Sequence, residues 1–276
     1  MKVLDHGFIE LVDHMGTDDD IAEAARVSYQ KGTKKIKNNA GLVRYLFKHA
    51  HFSPFEMVEM KFHIKAPIFV MRQAIRHRTW STNEISARYS VLDNEFYIPE
   101  TANIQKQSTD NKQGRAGDFP HDEKLDIRLL IEDHSAKSYA LYESFLEKGL
   151  ARELSRMVLP LNIYTQWYWK ANLRNIFAFL KLRMDHHAQY EIRVLANAMY
   201  SLVKEKFPIA TAAFDEYSNN TVAISASEKQ LFQELIKMVG VDGVRELVNT
   251  LIDKESEKRE FDKTWLGLEE NQFVNT

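Results

Sequence analysis

Residues 76–90 read Arg-His-Arg-Thr-Trp-Ser-Thr-Asn-Glu-Ile-Ser-Ala-Arg-Tyr-Ser and concentrate more chemistry than any other stretch of the chain. Arg76, Arg78 and Arg88 stand beside the hydroxyls of Ser81, Ser86 and Ser90, the amide of Asn83, the carboxylate of Glu84 and the imidazole of His77. A guanidinium presents paired donors in a fixed plane, which matches the oxygens of a phosphate. Hydroxyls and amides add neutral donors and acceptors around it. Few apolar residues interrupt the stretch, so it is neither an ordinary core strand nor a core helix. A solvated charged loop would also carry Lys, Gly or Asp, and none occurs here. The residue types fit a site for a phosphorylated ligand.

The cationic character is local. The 276 residues carry a formal net charge of −2, with 44% hydrophobic and 28% charged residues, the profile of an ordinary globular protein. A protein held to nucleic acid by bulk electrostatics is usually strongly basic. No apolar run approaches the roughly 20 residues that span a bilayer, and Met1 to His6 lack a signal-peptide core. The expected location is cytoplasmic, with neither membrane nor nucleic acid as partner. Cysteine is absent, which removes disulfides, thiolate metal sites and cysteine nucleophiles from this chain.

Other polar groups compete for a role. His49, His51, Asp185, His186 and His187 are metal-ligand types. His49 and His51, two apart, share no helix face, and no His-Glu-x-x-His pattern exists. No metal is therefore expected, and Asp185 is read as an N-cap for the helix that follows it. Arg152 and Arg156 are four apart on a short helix, while Arg174 and Arg183 flank the apolar run Ile176 to Leu180. Tyr164, Trp167, Tyr168 and Trp169 are expected in the core. Neither a Gly-rich dinucleotide turn nor a Walker loop is present, so side chains must hold any bound nucleotide.

The elements that position these groups follow from periodicity. Phe8 to Met15 predicts a strand, and Asp18, Asp19 and Asp20 offer N-caps for a helix through Val27. Asn38 or Asn39 caps a second helix whose apolar face is Leu42, Val43, Leu46 and Phe47. Val58 to Lys65 alternates strictly and predicts a half-buried strand. Pro67 suits the first turn of a helix running through Ile75, on which Gln73, Arg76 and His77 share a face. Tyr89 to Ile98 reads as a strand and 101–121 as a surface loop. Helices are predicted over Glu123–Lys148 and Ala151–Val158, a strand over Ile163–Trp169, and helices over Leu173–Leu182 and Ala188–Phe207. Beyond about 222, Ser227 and Gln230 read as a capping box, Gly240 as its helix end and Asp242 as the next start. Residues 1–222 are thus expected to form the chemical core and 223–276 a helical appendage with a charged tail.

With these residues in view, Arg76-His77-Arg78, seven residues and then Ser86 resembles the signature of the flavin-dependent thymidylate synthases, and the fuller pattern holds through Ser90. His49 to Glu56, Ala66 to Val70, Leu159 to Asn162, and Leu182-Arg183 through His187-Ala188-Gln189 also resemble family segments. The resemblance implies an α+β catalytic core, with the appendage added to it. It implies reductive methylation of dUMP to dTMP, with 5,10-methylenetetrahydrofolate as carbon donor, FAD as hydride carrier and NADPH as reductant, in a homotetramer. By position, Gln73, Arg76, Glu84, Ser86, Ala87 and Arg88 are similar to the dUMP-binding set, Arg156 to a phosphate ligand supplied across a subunit interface, and Arg183 to the catalytic arginine against the uracil ring. His51, Ser53, Arg76, His77, Arg78, Glu84, Asn172 and Arg174 are similar to FAD contacts. Ala178 departs from the pattern where a polar FAD-contacting residue is expected. Ser86 has no obvious base to activate it and is assigned to binding. The competing reading is a noncatalytic nucleotide or RNA binder, which the net charge disfavours.

Overall fold

The computed structural model describes residues 1–28, 38–110, 112–253 and 255–266. Contacts divide the chain into two compact units, Met1–Asn220 and Thr221–Thr276. The first is α+β. Its strands β1 (Lys2–Val3), β2 (Gly7–Met15), β3 (Glu59–Pro67), β4 (Ser81–Glu84) and β5 (Tyr164–Asn172) lie in the order β1-β2-β3-β5-β4, all antiparallel. Its helices are α1 (Asp18–Arg26), α2 (Asn39–Lys48), α3 (Ile68–Ala74), α4 (His121–Glu147), α5 (Arg152–Ser155), α6 (Leu173–Arg183), α7 (Tyr190–Lys206) and α8 (Pro208–Phe214).

Alternation in β3 sets the layers. Met60, Phe62, Ile64 and Ala66 are buried and join Trp167, Trp169 and Ala171 of β5 on one face. Onto that face pack Leu173, Ile176, Phe179 and Leu180 of α6 and Ile192, Leu195 and Met199 of α7. The other face is polar, as antiparallel sheets permit. There Lys170 pairs with Glu59 at 2.8 Å, and His63 stacks on Tyr168 at 5.0 Å. Tyr168 is thus the exception among the aromatics expected in the core, because the strand period turns it outward. A second, smaller core joins Tyr139 and Tyr142 of α4 to Ala87, Leu92, Phe96 and Ile163.

Several boundaries differ from the sequence reading, each for a local reason. Thr17, not one of the three aspartates, precedes α1, and Asp20 accepts from its N–H and hydroxyl, both at 2.7 Å. Asp18 is instead buried and accepts from the N–H groups of Ile209 and Ala210 at 2.8 and 2.9 Å, satisfying the start of α8. That helix, opened by Pro208, was not foreseen. Pro67 ends β3 beyond the last β2 pair at Lys65, so its missing N–H breaks no bond on that side. Helix α3 stops at Ala74, so Arg76 and His77 sit in the turn after it rather than on its face. Tyr89 to Ile98 forms no regular strand: β4 holds the β5 edge from Trp167 to Lys170, and only Glu95 to Tyr97 reach its entry, where Phe96 bridges Ile163 and the Tyr97 N–H donates to the Asn162 carbonyl at 2.8 Å. Helix α7 begins at Tyr190 with Gln189 before it, so Asp185 is not its N-cap.

The second unit contains α9 (Ala226–Val239), α10 (Val241–Leu251) and α11 (Glu255–Phe261) around Ile236, Val244 and Val248. Ser225 and Glu228 form its capping box, at 3.2 and 2.6 Å, two residues ahead of the predicted pair. Gly240, at φ 88°, separates α9 from α10. Of the charged tail, residues 254 and 267–276 lie outside the described residues.

One side chain pins the arginine-rich stretch to this frame. Trp80 is 7% exposed and stacks on Trp169 at 3.8 Å between ring centroids. Phe179 meets its ring edge-on at 5.8 Å. Truncating such an indole leaves a core cavity. Trp80→Ala is expected to cost about 3–5 kcal/mol, read as a lowered urea midpoint; a loss below about 1 kcal/mol would refute the pinning role.

Candidate active site

The register of β4 lays the motif along β5, with Ser81 opposite Lys170 and Glu84 opposite Trp167. Strand β5 runs directly into α6. Residues 76–80 therefore fall at the α6 end of β5, and residues 85–88 fall toward its Thr165 end. One stretch of chain serves two places.

At the α6 end, Arg183 closes the last turn of the helix. Its Nε donates to His77 Nε2 at 3.1 Å and its Nη2 to the Gln73 carbonyl at 3.4 Å. His77 accepts with Nε2, so its proton resides on Nδ1 and the ring is neutral. Phe179 meets the imidazole edge-on at 5.0 Å. Burial, and then the Arg183 charge, push the His77 pKa down to about 4. Burial also lowers Arg183. The structure thus brings Gln73, His77 and Arg183 together. Arg76 and Arg78, in and after the same turn, are exposed and have no ion pair or side-chain hydrogen bond among the described residues.

The residues expected on the flavin side gather near the start of α6. Asn172 caps the helix, accepting from the Asn175 N–H at 3.0 Å. Arg174 ion-pairs with Glu56 and lies over the Phe52 ring at 5.5 Å. Ser53 begins the short 3-10 turn that carries Glu56. His51 follows Ala50, whose left-handed φ of 56° closes α2, and it meets Tyr45 edge-on at 6.2 Å. Ala178 is exposed, one turn beyond Arg174. It offers no polar group there.

Toward the Thr165 end, Glu84, Ala87 and Arg156 line one cavity of about 160 Å³ with Ile68, Leu159 and Thr165. Glu84 accepts from the Thr165 hydroxyl at 2.7 Å. Arg88 pairs with Glu153 at 3.1 Å, both exposed. Ser86 Oγ accepts from the Arg88 N–H at 3.3 Å, which fits a positioned binding hydroxyl. Arg156 is exposed and unpaired among the described residues. Among the described residues, no hydrogen bond or ion pair joins this group to Arg183 and Gln73. A single chain presents the expected dUMP set as two halves.

The model of the thymidylate synthase complementing protein family matches residues 10–209. The chain belongs to this family. A flavin-dependent thymidylate synthase of Wolbachia pipientis wMel is 53% identical over 236 residues, covering 86% of this chain and 83% of that one. A second so named, from Ehrlichia ruminantium strain Gardel, is 48% identical over 262 residues, covering 92% and 88%. Among solved structures, the UMP/dUMP methylase PolB of Streptomyces cacaoi, bound with 5-Br UMP, superposes with a TM-score of 0.71 at 32% identity. It covers 79% of this chain and 97% of its own. The α+β core is therefore that of the flavin-dependent thymidylate synthases, and a flavin is its cofactor.

Within this family frame, Arg115 and Glu191 gave no signal in the sequence. Glu191, 3% exposed, binds Arg115 through both oxygens at 2.7 and 2.8 Å. Gln189 accepts from Gln73 Nε2. Both glutamines come together only through the packing of α3 against α7. A cavity of about 490 Å³ opens alongside, lined by Arg115, His186, His187, Gln189 and Arg193 among others. Asp185, His186 and His187 place potential ligand atoms within 4.8 Å of one another, all on exposed residues. The Asp185 carboxylate there accepts from the His187 N–H and Nδ1 at 2.8 and 2.9 Å.

The neutral His77 predicts a pH signature. An unfolded histidine titrates near 6.5, and the folded one near 4. Between these values the unfolded chain binds a proton that the folded chain refuses, so stability falls as pH drops from about 6.5 toward 4 and levels below. His77→Gln removes this component. Urea midpoints of both proteins between pH 7 and pH 4 are expected to shift against the wild type relative to the variant as pH falls; parallel profiles would refute it.

Proposed function

We propose that this chain converts dUMP to dTMP with a bound FAD, 5,10-methylenetetrahydrofolate as carbon donor and NADPH as reductant. The C5 hydrogen of the pyrimidine is exchanged for a methyl group. The carbon arrives as a methylene and takes up two electrons, so NADPH leaves as NADP⁺ and the folate as tetrahydrofolate. Cysteine is absent, so no thiolate of this chain attacks the ring. FAD, when bound, supplies the hydride.

The observation that carries this reading is Arg183, fixed by a neutral imidazole and a carbonyl at the end of α6. Beside it, a turn of the chain holds two unpaired arginines. A cation at that position stabilises negative charge developing on a uracil ring. His77 orients Arg183 without adding a competing charge. The donor set also fits the dinucleotide. Arg76 and Arg78 suit a pyrophosphate, Asn172 and Arg174 frame the start of α6, and His51, Ser53 and Glu84 complete the FAD set. Gln73, Arg76, Glu84, Ser86, Ala87, Arg88, Arg156 and Arg183 form the dUMP set.

That set lies in two halves, which supports a homotetramer whose sites draw on more than one chain. Leu125 and Leu129 of α4, 40% and 61% exposed, and Leu130 and Leu141, 68% and 43% exposed, flank an exposed ridge with Asp133 and Lys137, and offer apolar groups to such contacts. The catalytic domain is taken as 1–222, and 223–276 lies beyond the family match. Among the described residues no helix is long and apolar enough to cross a membrane. A cysteine-free chain using NADPH suits a cytoplasmic setting.

Two outcomes follow. Purified protein is expected to be yellow or to become so with FAD, and to form dTMP only with dUMP, methylenetetrahydrofolate and NADPH; a colourless protein that rejects FAD would overturn the reading. Arg183→Ala is expected to keep the flavin absorbance and lose about 100-fold or more in turnover. Near-normal activity would remove Arg183 from catalysis.

A further inference from the structure

A carboxylate that the proposed chemistry does not use lies two hydrogen bonds from Gln73. Glu191, in the first turn of α7, is 3% exposed. Arg115 donates to both of its oxygens at 2.8 and 2.7 Å, the Tyr97 hydroxyl donates to Oε1 at 3.1 Å, and Gln189 Nε2 donates to Oε2 at 2.8 Å. Gln189 Oε1 in turn accepts from Gln73 Nε2. The Gln73 main-chain carbonyl, distinct from the Oε1 of its side-chain amide, accepts from Arg183.

We infer that Glu191 fixes the orientation of two successive side-chain amides, so that Gln73 offers its carbonyl oxygen to the nucleotide and reads a hydrogen-bond donor on it. The argument is one of donor and acceptor sense. An ionised carboxylate only accepts, whereas an amide end either donates or accepts. Gln189 must therefore turn its NH₂ toward Glu191, which leaves its oxygen facing Gln73. Gln73 must then turn its NH₂ toward Gln189, which leaves its own oxygen directed elsewhere. Without the carboxylate, either amide flips at little cost, and Gln73 offers donor and acceptor alike.

The carboxylate is held in the form this requires. Burial pushes the Glu191 carboxyl up, but the hydrogen bonds from Arg115, from its own backbone N–H and from Gln189, together with the Arg115 charge, hold it below the ordinary value. Tyr97 is pushed far up, first by burial and then by Glu191, so it remains a hydroxyl donor. Arg115 is tied in by its Nη1 donation to the Asn103 carbonyl at 2.7 Å. The anchor thus spans the 101–117 loop, the segment before the β5 edge and α7. Glu191 and Gln189 are positioning residues, while Gln73 is the group that touches substrate.

The inference rests on the reading that Gln73 faces dUMP. A deoxyuridine monophosphate carries two donors such an oxygen can read, the N3–H of the base and the 3′-hydroxyl of the sugar. The test is calorimetric binding to FAD-saturated protein of dUMP, N3-methyl-dUMP and 2′,3′-dideoxyuridine monophosphate. Wild type is expected to prefer dUMP over the analogue that lacks the donor by about tenfold or more. Gln189→Leu, which keeps the Glu191–Arg115 pair, is expected to bring that preference to within about twofold by weakening dUMP and not the analogue. Glu191→Gln, whose amide can donate, is expected to act in the same direction. A wild type indifferent to both analogues would overturn the inference. So would a Gln189→Leu variant that keeps the full preference, including one that weakens all three ligands alike. Failure of wild type to bind dUMP at all would instead sink the proposed function.

Discussion

The site depends on the pairing of β4 with the edge of β5. The four residues of β4 are all exposed, so burial of their own side chains does not hold the strand in place. The ladder from Ser81–Lys170 to Glu84–Trp167 does, reinforced by the Trp80–Trp169 stack just ahead of it. An edge strand usually needs protection against adventitious pairing, and shortness and polarity supply it here. Because β4 runs antiparallel to β5, the motif delivers Arg76 and Arg78 to one end of that strand and Ser86 and Arg88 to the other. This geometry lets one segment serve both halves of the proposed site.

Charge is arranged on the same plan. Arg88 with Glu153 and Arg174 with Glu56 form solvent-accessible pairs. Such pairs contribute little to stability, and an arriving anion displaces them readily. Arg115 with Glu191 is of another kind. Its carboxylate is buried and its fork is bidentate, so it acts as a fixed joint. Arg183 lies between these extremes, oriented by neutral acceptors. Its charge is held in place without being cancelled, as the electrostatic role proposed for it requires.

Much of this was legible from residue order. The period-2 run in β3, the capped α2 with its four buried apolar residues and the apolar run of α6 all came from local pattern, because burial on one face imposes its period on the sequence, whereas α4, which buries Ser135, Ser138, Tyr139 and Tyr142, was marked by its stop at Gly149. The residue types within 76–90 pointed to a site for a phosphorylated ligand for a similar reason. Those side chains act over a few residues of chain, so their chemistry stays contiguous. The misplaced elements are those decided by a distant partner. Asp18 caps α8 from 191 and 192 residues away in sequence, and of Tyr89 to Ile98 only Glu95 to Tyr97 meet the entry of β5, because β4 takes the edge from Trp167 to Lys170.

By itself, then, the sequence determined the family, the absence of a cysteine nucleophile and the identities of the candidate ligands of anion and flavin. Each of these is carried by residue type and short-range spacing. Only the tertiary structure decided which arginines are paired and which are free, that His77 is neutral against Arg183, and that a buried Glu191 stands behind Gln73 through Gln189. Those properties depend on burial and on donor–acceptor contacts between segments about 100 residues apart. Neither is encoded in the local order of the chain, since the same Glu at the start of a helix is as readily a solvated surface charge.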